Sequence, residues 1–451
     1  MHTHRIATLA AVSAVALALA ACGDGSSGDD ASGAAGDGAT TIDYWLWDAN
    51  QQPAYQACAD AFTEANPDVT VTITQRGWDD YWATLTTGFQ SDTAPDVFTN
   101  HLSRYPEFVE NGVLLPLDEV LPDVDTSIYV EGLADLWIAQ DGQRYGLPKD
   151  WDTIALFYNS AMLADAGLTE DDMNSLEWNP DDGGTFEAAV AALTVDENGV
   201  RGNEDGFDPE NVAVYGLGLP GSGGGLGQTE WSFFTDTVGW THTDENPWGT
   251  SYNYDDPAFQ EAIAWWKSLI DKGYMPPLEQ TVGASMNDNF GAGQSAINAN
   301  GSWMIGSYAG YEGIELGIAP TPIGPNGERS SMFNGLADSI FAGTDNPEAA
   351  ARWVEFLGSE ECQQLVGEAG VVFPAIPAAV DTATASFEER GVDVSAFTTH
   401  VEDGTTFLLP ITDNAADVTA IMAPAMDAVL NGSADASSLT AANEQVNALF
   451  E

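Results

Sequence analysis

Between residues 41 and 99 the chain alternates between two hydrophobic periods, and that alternation limits the folds open to it. Residues 41–47, Thr-Ile-Asp-Tyr-Trp-Leu-Trp, are rich in aromatic and β-branched side chains and predict a strand. Residues 53–65 have helical spacing, open on Pro53 and stop at Asn66-Pro67. Residues 69–74 read as a second strand, 81–91 as a helix and 96–99 as a short buried strand. Strand, helix, strand, helix, strand points to βαβ units around a mostly parallel sheet, the α/β class. The same logic returns at 257–272, where Asp255-Asp256 precede Pro257. An apolar stripe runs there through Phe259, Ile263, Trp266 and Ile270 to a stop at Gly273. Residues 347–357, 359–369 and 438–450 also read as helices, as do 415–430, where Pro424 is expected to kink or split the element. Residues 179–227 read as loops around one helix at 186–193.

The N-terminus predicts where the protein resides. Arg5 precedes an uncharged apolar run over residues 6–21 that ends Leu-Ala-Ala before Cys22. A short positive flank, a short apolar stretch and small residues describe a secretory signal, and the run is too short for a membrane span. The Cys directly after it makes residues 1–21 a lipoprotein signal, with lipid attached to Cys22. Residues 22–40, mostly Gly, Ser, Asp and Ala, are too polar to bury anything and read as a flexible tether. An extracytoplasmic protein anchored to the outer face of the cell membrane is the expectation.

About 410 residues follow the tether, enough for two domains. The charge is extreme, with 11 Lys+Arg against 70 Asp+Glu and a formal net −59. Such a chain repels nucleic-acid phosphates, so no nucleic-acid partner is expected. Beyond Cys22 the cysteines are Cys58 and Cys362, an even number in an oxidising compartment. A disulfide and a pair of buried free thiols are both open on these grounds.

Enzyme and cofactor signatures are missing. There is no His-Glu-x-x-His, no Gly-x-Ser-x-Gly and no Walker-type loop, and two of the five His lie in the signal. Gly216-x-Gly218-x-x-Gly221 matches a dinucleotide fingerprint, but Pro220 and a glycine run follow where that site requires a helix. Residues 196–208 are Asp-rich, yet Arg201 stands where a calcium loop needs Gly. Neither a cofactor nor a metal is expected.

Aromatic residues beside hydrogen-bonding side chains at strand ends carry the chemistry. Trp47, Asp48 and Asn50 follow the first strand, Trp78 and Asp79 the second, and Asn100 and His101 the third. In open α/β sheets ligands sit beyond the carboxyl ends of strands. Trp151-Asp152, Glu230-Trp231 and Asn300-Gly-Ser-Trp303 repeat the pairing. A sugar wants such a lining, because its apolar face stacks on a ring while Asp and Asn bridge its hydroxyls. A core role for each Trp is the alternative.

Six segments, taken in order, resemble the family 1 extracellular solute-binding proteins of ABC importers. They are residues 42–47, Phe62-x-x-x-Asn66-Pro67, Ala94-Pro-Asp-Val97, Tyr145-Gly-Leu-Pro148 with Leu156-Phe-Tyr-Asn159, Asn300-Gly-Ser-Trp303, and Asn346-Pro-Glu-Ala-Ala350 into Trp353. The resemblance implies a two-lobed, class II-like periplasmic-binding-protein fold whose hinge the chain crosses more than once, near 149–153 and 330–335. Lobe one would hold 41–148 with 336–374, and lobe two 149–335 with 375–451. Cys58 and Cys362 then share a lobe, which favours the disulfide. Asp152 matches a ligand carboxylate and Trp303 a sugar-stacking ring; Trp231 and Trp47 fit aromatic cleft positions. The implied activity is capture of a carbohydrate, an oligosaccharide in size, by a monomer that delivers it to ABC permease subunits without making or breaking bonds. The rivals are an anchored glycoside hydrolase using Asp48 and Asp152, and a receptor for a peptide or glycerol phosphate.

Overall fold

A computed structural model describes residues 39–219, 223–281 and 284–451. The signal segment, Cys22 and all but the end of the tether lie outside the described residues. So do residues 220–222, with Gly221 of the glycine motif.

The described strands, in chain order, are β1 (Thr40–Leu46), β2 (Val69–Gln75), β3 (Val97–His101), β4 (Leu147–Asp152), β5 (Ile154–Asn159) and β6 (Val195–Asp196). They continue with β7 (Val212–Leu217), β8 (Ser295–Gly301), β9 (Leu316–Ala319), β10 (Ser331–Ile340), β11 (Phe373–Pro374) and β12 (Thr406–Leu408). Two sheets result. One runs β11-β4-β10-β3-β1-β2, with β12 beside the start of β10; the other runs β6-β7-β8-β5-β9. The opening βαβ units are parallel, as their spacing predicts: Thr40 pairs with Val69 and Tyr44 with Val97. The sheet is nevertheless mixed, because β10 enters antiparallel between β3 and β4.

Each sheet is covered by helices whose apolar faces make its core. On the first, the helices Gln52–Ala65 and Pro347–Leu357 bring Tyr55, Phe62 and Trp353 against Ile42 and Tyr44. On the second, the helix Pro257–Asp271 buries Phe259, Ile263, Trp266 and Leu269. Asp256 accepts a 2.7 Å bond from the Ala258 N–H at its start, and Gly273 at φ +74° ends it, the left-handed conformation glycine adopts without a Cβ clash. The helix Ala415–Leu430 runs through Pro424 as one element rather than splitting. Its buried Val418, Met422, Met426 and Val429 keep both halves on one core and offset the lost backbone bond.

The chain passes between sheets at Thr153, between β4 and β5. Beside it the Ile154 N–H donates 2.7 Å to Ser331 Oγ at the start of β10. The return to the second core expected at residue 375 does not occur there, since Ala375, Ile376, Ala379 and Phe387 pack in the first core. The helix Pro377–Glu389 packs on the helix Glu360–Ala369 instead, and Phe387 and Phe397 pack against Phe373. Phe387 holds the helix to the first sheet, while Phe397 stands between the sheets, 6.4 Å from Phe373 and 5.6 Å from Phe157 on β5, so the return falls near Phe397. Cys58 and Cys362 join the covering helices of the first sheet by a disulfide, with 5.2 Å between Cα atoms.

Gly216 and Gly218 serve packing rather than phosphate binding. A Cβ on Gly216 would stand 2.0 Å from the Val190 carbonyl, and one on Gly218 2.0 Å from Asn298 Oδ1. In the Asp-rich loop the buried Asp196 carboxylate accepts from the backbone N–H groups of Asn198, Val200 and Asp208. Its oxygens are spent on folding the loop.

Candidate functional site

The carboxyl ends of β1 and β3, the end of β4 and the turn after β8 meet around a cavity of about 570 Å³. Trp47, Asp48, Asn50 and Gln51 reach it from the turn after β1, Trp78 from the helix Trp78–Ser91, and His101 from the end of β3. Asp152 comes from the end of β4, Asn300 and Trp303 from β8 and its turn, and Glu230 from the loop that follows residue 222.

Trp47 is held in an aromatic nest, its ring centre 5.1 Å from that of Trp78, 5.3 Å from Tyr81 and 5.4 Å from Trp82. Trp78 closes that nest on one side and is 44% exposed on the other. Exposing so large an apolar surface is costly unless a ligand covers it.

The segment Asn300-Gly-Ser-Trp303 divides its tasks residue by residue. Asn300 Nδ2 donates to Tyr308 Oη and its Oδ1 accepts the Gly301 N–H. Gly301 leaves room for the indole, since a Cβ there would stand 1.9 Å from the Trp303 ring. Ser302 Oγ donates 2.5 Å to Asp152 Oδ1. Trp303 then faces the cavity.

Charge in the cavity is held by a buried chain. Lys149 Nζ, 1% exposed, donates to Gln51 Oε1 (3.1 Å) and Thr99 Oγ1 (3.2 Å) and lies 3.8 Å above the Tyr55 ring. Gln51 Nε2 in turn donates 3.2 Å to Asp48 Oδ2, and Asp48 Oδ1 accepts the Asn50 N–H. One ammonium thus serves Asp48, Asp150, Asp152 and Asp338. Burial raises all four carboxyls above the ordinary range, with Lys149 opposing. Burial likewise pushes Glu230 up to about 7, against hydrogen bonds from the Thr229 N–H and Oγ1. His101 is pushed down to about 3 by burial and then by Arg104, so it is neutral. Its Nδ1 accepts the Ser103 N–H at 3.1 Å, which leaves Nε2 as the N–H donor. The cavity offers aromatic faces, acceptors and a neutral donor. Among its described lining residues there is no Lys or Arg, and among the described residues no cluster is fit to hold a metal.

Of the candidate ligand residues, the structure brings Trp47, Asp48, Asn50, Trp78, His101, Asp152 and Trp303 to this one cavity. Trp151, Trp231, Asn100 and Asp79 are not in its lining. Side chains alternate across a strand, so Trp151 points away from Asp152 and stacks on Phe373, 4.7 Å between ring centres. By the same rule Asn100, fully buried, donates to Ser339 Oγ while His101 faces the cavity. Trp231 is 1% exposed and packs on Phe259 and Trp240. Asp79 lies exposed in the first turn of its helix. Glu230 and Asn300 are in the lining although the candidate set omitted them, as are Gln51, Gln75 and Asn334. Glu230 and Asn300 stood in the aromatic–polar segments; nothing in sequence told which neighbour turned inward.

Two helix-covered sheets with a ring- and carboxylate-lined cavity between them define a two-lobed solute-binding fold. The chain belongs to the bacterial extracellular solute-binding proteins, whose family model matches residues 57–390, and membership places it outside the cytoplasm. The maltodextrin-binding protein MdxE of Bacillus subtilis (strain 168) is 25% identical over 298 residues, 66% of this chain and 64% of that protein. The Mycobacterium tuberculosis protein UspC superposes with a TM-score of 0.69 at 26% identity, covering 90% of this chain and 99% of UspC. The GacH receptor of Streptomyces glaucescens GLA.O, solved unliganded and with acarbose, gives 0.72 at 22% identity, covering 91% and 98%.

Proposed function

We propose that this protein captures a carbohydrate of oligosaccharide size and delivers it to the membrane subunits of an ABC importer. The observation that carries the reading is the lining itself, three tryptophans interleaved with Asp48, Asp152, Glu230, Asn300 and His101. Ring faces take the apolar side of a pyranose, and carboxylates and amides take its hydroxyls. The ligand-contact set we infer is Trp47, Asp48, Asn50, Trp78, His101, Asp152, Glu230, Asn300 and Trp303. MdxE and GacH, whose described ligands are maltodextrin and acarbose, support the class.

In this reading lobe one holds residues 40–152 with about 331–397, and lobe two most of the remainder. Sugar touching both lobes favours the closed form, which the permease would recognise. Asn50 Nδ2 donating 3.1 Å to Ser307 Oγ supplies one contact between the two sides. The protein acts as a monomer, tethered by lipid on Cys22 to the outer face of the membrane, and breaks no bond.

The test is thermal unfolding of the purified chain against a panel of mono- and oligosaccharides. Native-state binding raises the melting point with the logarithm of ligand over Kd. A rise with one sugar class, lost in Trp303→Ala, supports the proposal. A rise with peptides or glycerol phosphate alone removes the sugar. Reducing ends appearing during incubation would replace capture by hydrolysis.

A further inference from the structure

The sugar cavity has a neighbour of opposite character. A second cavity, of about 280 Å³, shares Trp78 and Gly223 with the first. In a chain with 70 Asp+Glu and 11 Lys+Arg, its described lining contains no carboxylate and does contain Arg104. The first cavity is the reverse, with Asp48, Asp152 and Glu230 and no cation among its described lining.

Arg104 is also set apart by what it does not bond. Every other described arginine donates to a carboxylate or a backbone carbonyl. Among the described residues the Arg104 guanidinium has no hydrogen-bond acceptor and no ion pair; it lies 5.5 Å from the ring centre of Trp82. In a protein of net −59, a half-buried arginine left without a carboxylate is a donor set held for something else. The lining also includes Ala415 and Ala416, the start of the helix Ala415–Leu430, where no side chain caps the backbone N–H groups. That end adds partial positive charge to the guanidinium. Asp417, in the same turn, is exposed and outside the lining.

We propose that this second cavity is an anion subsite, and that the ligand is an acidic oligosaccharide. Its neutral ring would fill the first cavity while a carboxylate on the adjoining residue pairs with Arg104. Trp78, exposed and common to both cavities, offers its face to the sugar at the junction. The guanidinium fork matches a carboxylate bidentately, a geometry a hydroxyl does not reproduce. The inference rests on the carbohydrate reading above and deepens it by naming the class of sugar.

Calorimetric titration of the full chain with matched trisaccharides tests it. The pairs are maltotriose, cellotriose and galactotriose, each against the same trisaccharide with one terminal residue oxidised to the uronate. In at least one pair the acidic member should bind roughly 10- to 100-fold more tightly, a preference that shrinks as salt is raised. Arg104→Gln should abolish the preference and leave the neutral member's affinity and the melting point unchanged. Arg104→Lys, which keeps the charge and loses the fork, should retain only part of it. Neutral sugars binding as well as their acidic partners in every pair would overturn the subsite and leave the sugar reading standing. A preference that survives Arg104→Gln overturns it equally. No binding by any member, together with no rise in melting point from any sugar of the wider panel, removes the sugar reading and the subsite together.

Discussion

Ser302 Oγ donates a 2.5 Å hydrogen bond to Asp152 Oδ1, fastening the turn after β8 in one sheet to the last residue of β4 in the other. Both residues are buried, and Thr153, where the chain first passes between sheets, is next in sequence. The bond therefore sits where relative movement of the two sides must pivot. Ser302→Ala should leave a buried carboxylate short of a donor and cost about 1–3 kcal/mol. Urea unfolding measures it, and an unchanged midpoint would refute the role.

Gly301→Ala tests how the Trp303 ring is placed. The added methyl would fall 1.9 Å from the indole, so the ring has to move. The sugar that raises the melting point of the parent chain should bind more weakly by roughly 2- to 10-fold, the scale of one lost stacking contact. Equal affinity would mean that the Trp303 position is irrelevant to binding.

Lys149 and Asp150 should respond in opposite directions. Lys149→Met removes the ammonium that serves four buried carboxyls, and should destabilise by about 3–5 kcal/mol at pH 7. Asp150 has no hydrogen-bond partner on either oxygen among the described residues, and burial holds its carboxyl well above the ordinary range. Asp150→Asn should therefore leave stability unchanged at pH 3, where both states hold the proton, and raise it at pH 8. Denaturant titrations at both pH values decide, and a loss for Asp150→Asn at pH 8 would show that its charge is needed.

Glu230 gives stability a pH slope of known sign. Its carboxyl rises from 4.5 to about 7 in the fold, so between those values the native state keeps a proton that the unfolded chain releases. Stability falls as pH increases through that window. Glu230→Gln should flatten the fall between pH 4.5 and 7 and gain on the order of 1–3 kcal/mol at pH 7.5. An identical pH profile in both proteins would contradict the assignment.

The Cys58–Cys362 disulfide closes a span of 304 positions and lies fully buried. The double change Cys58→Ser with Cys362→Ser should lower stability by about 2–5 kcal/mol while sugar binding survives, because neither residue approaches the cavity. Parallel unfolding and binding titrations separate the two effects.

The opening βαβ units were legible in sequence because they are local. Residues 41–47 and 69–74 differ from β1 and β2 by at most one position at either end, since alternation and the Asn66-Pro67 stop are carried by neighbouring residues. The helices at 257–272 and 347–357 were legible through caps and stripes for the same reason. The antiparallel entry of β10 between β3 and β4 was not, because its partners are more than 180 residues away and no local pattern records strand order. Phe387 looks apolar in sequence, but only packing against Phe373 told which core it joins.

The candidate site divides in the same way. Sequence supplied the chemistry, aromatic residues beside acids and amides at strand ends, and seven of its residues converge on one cavity. It left open which member of each neighbouring pair faces inward. Trp151 and Asp152, or Asn100 and His101, lie on opposite faces of one strand, and a shift of one residue would exchange their roles. Composition likewise reports 11 cations among 70 acids without showing that Arg104 alone among the described arginines is left without an acceptor. Side-chain type and local period are properties of the chain itself and determine its elements. Facing, pairing and burial depend on contacts between distant segments, and those the tertiary structure decided.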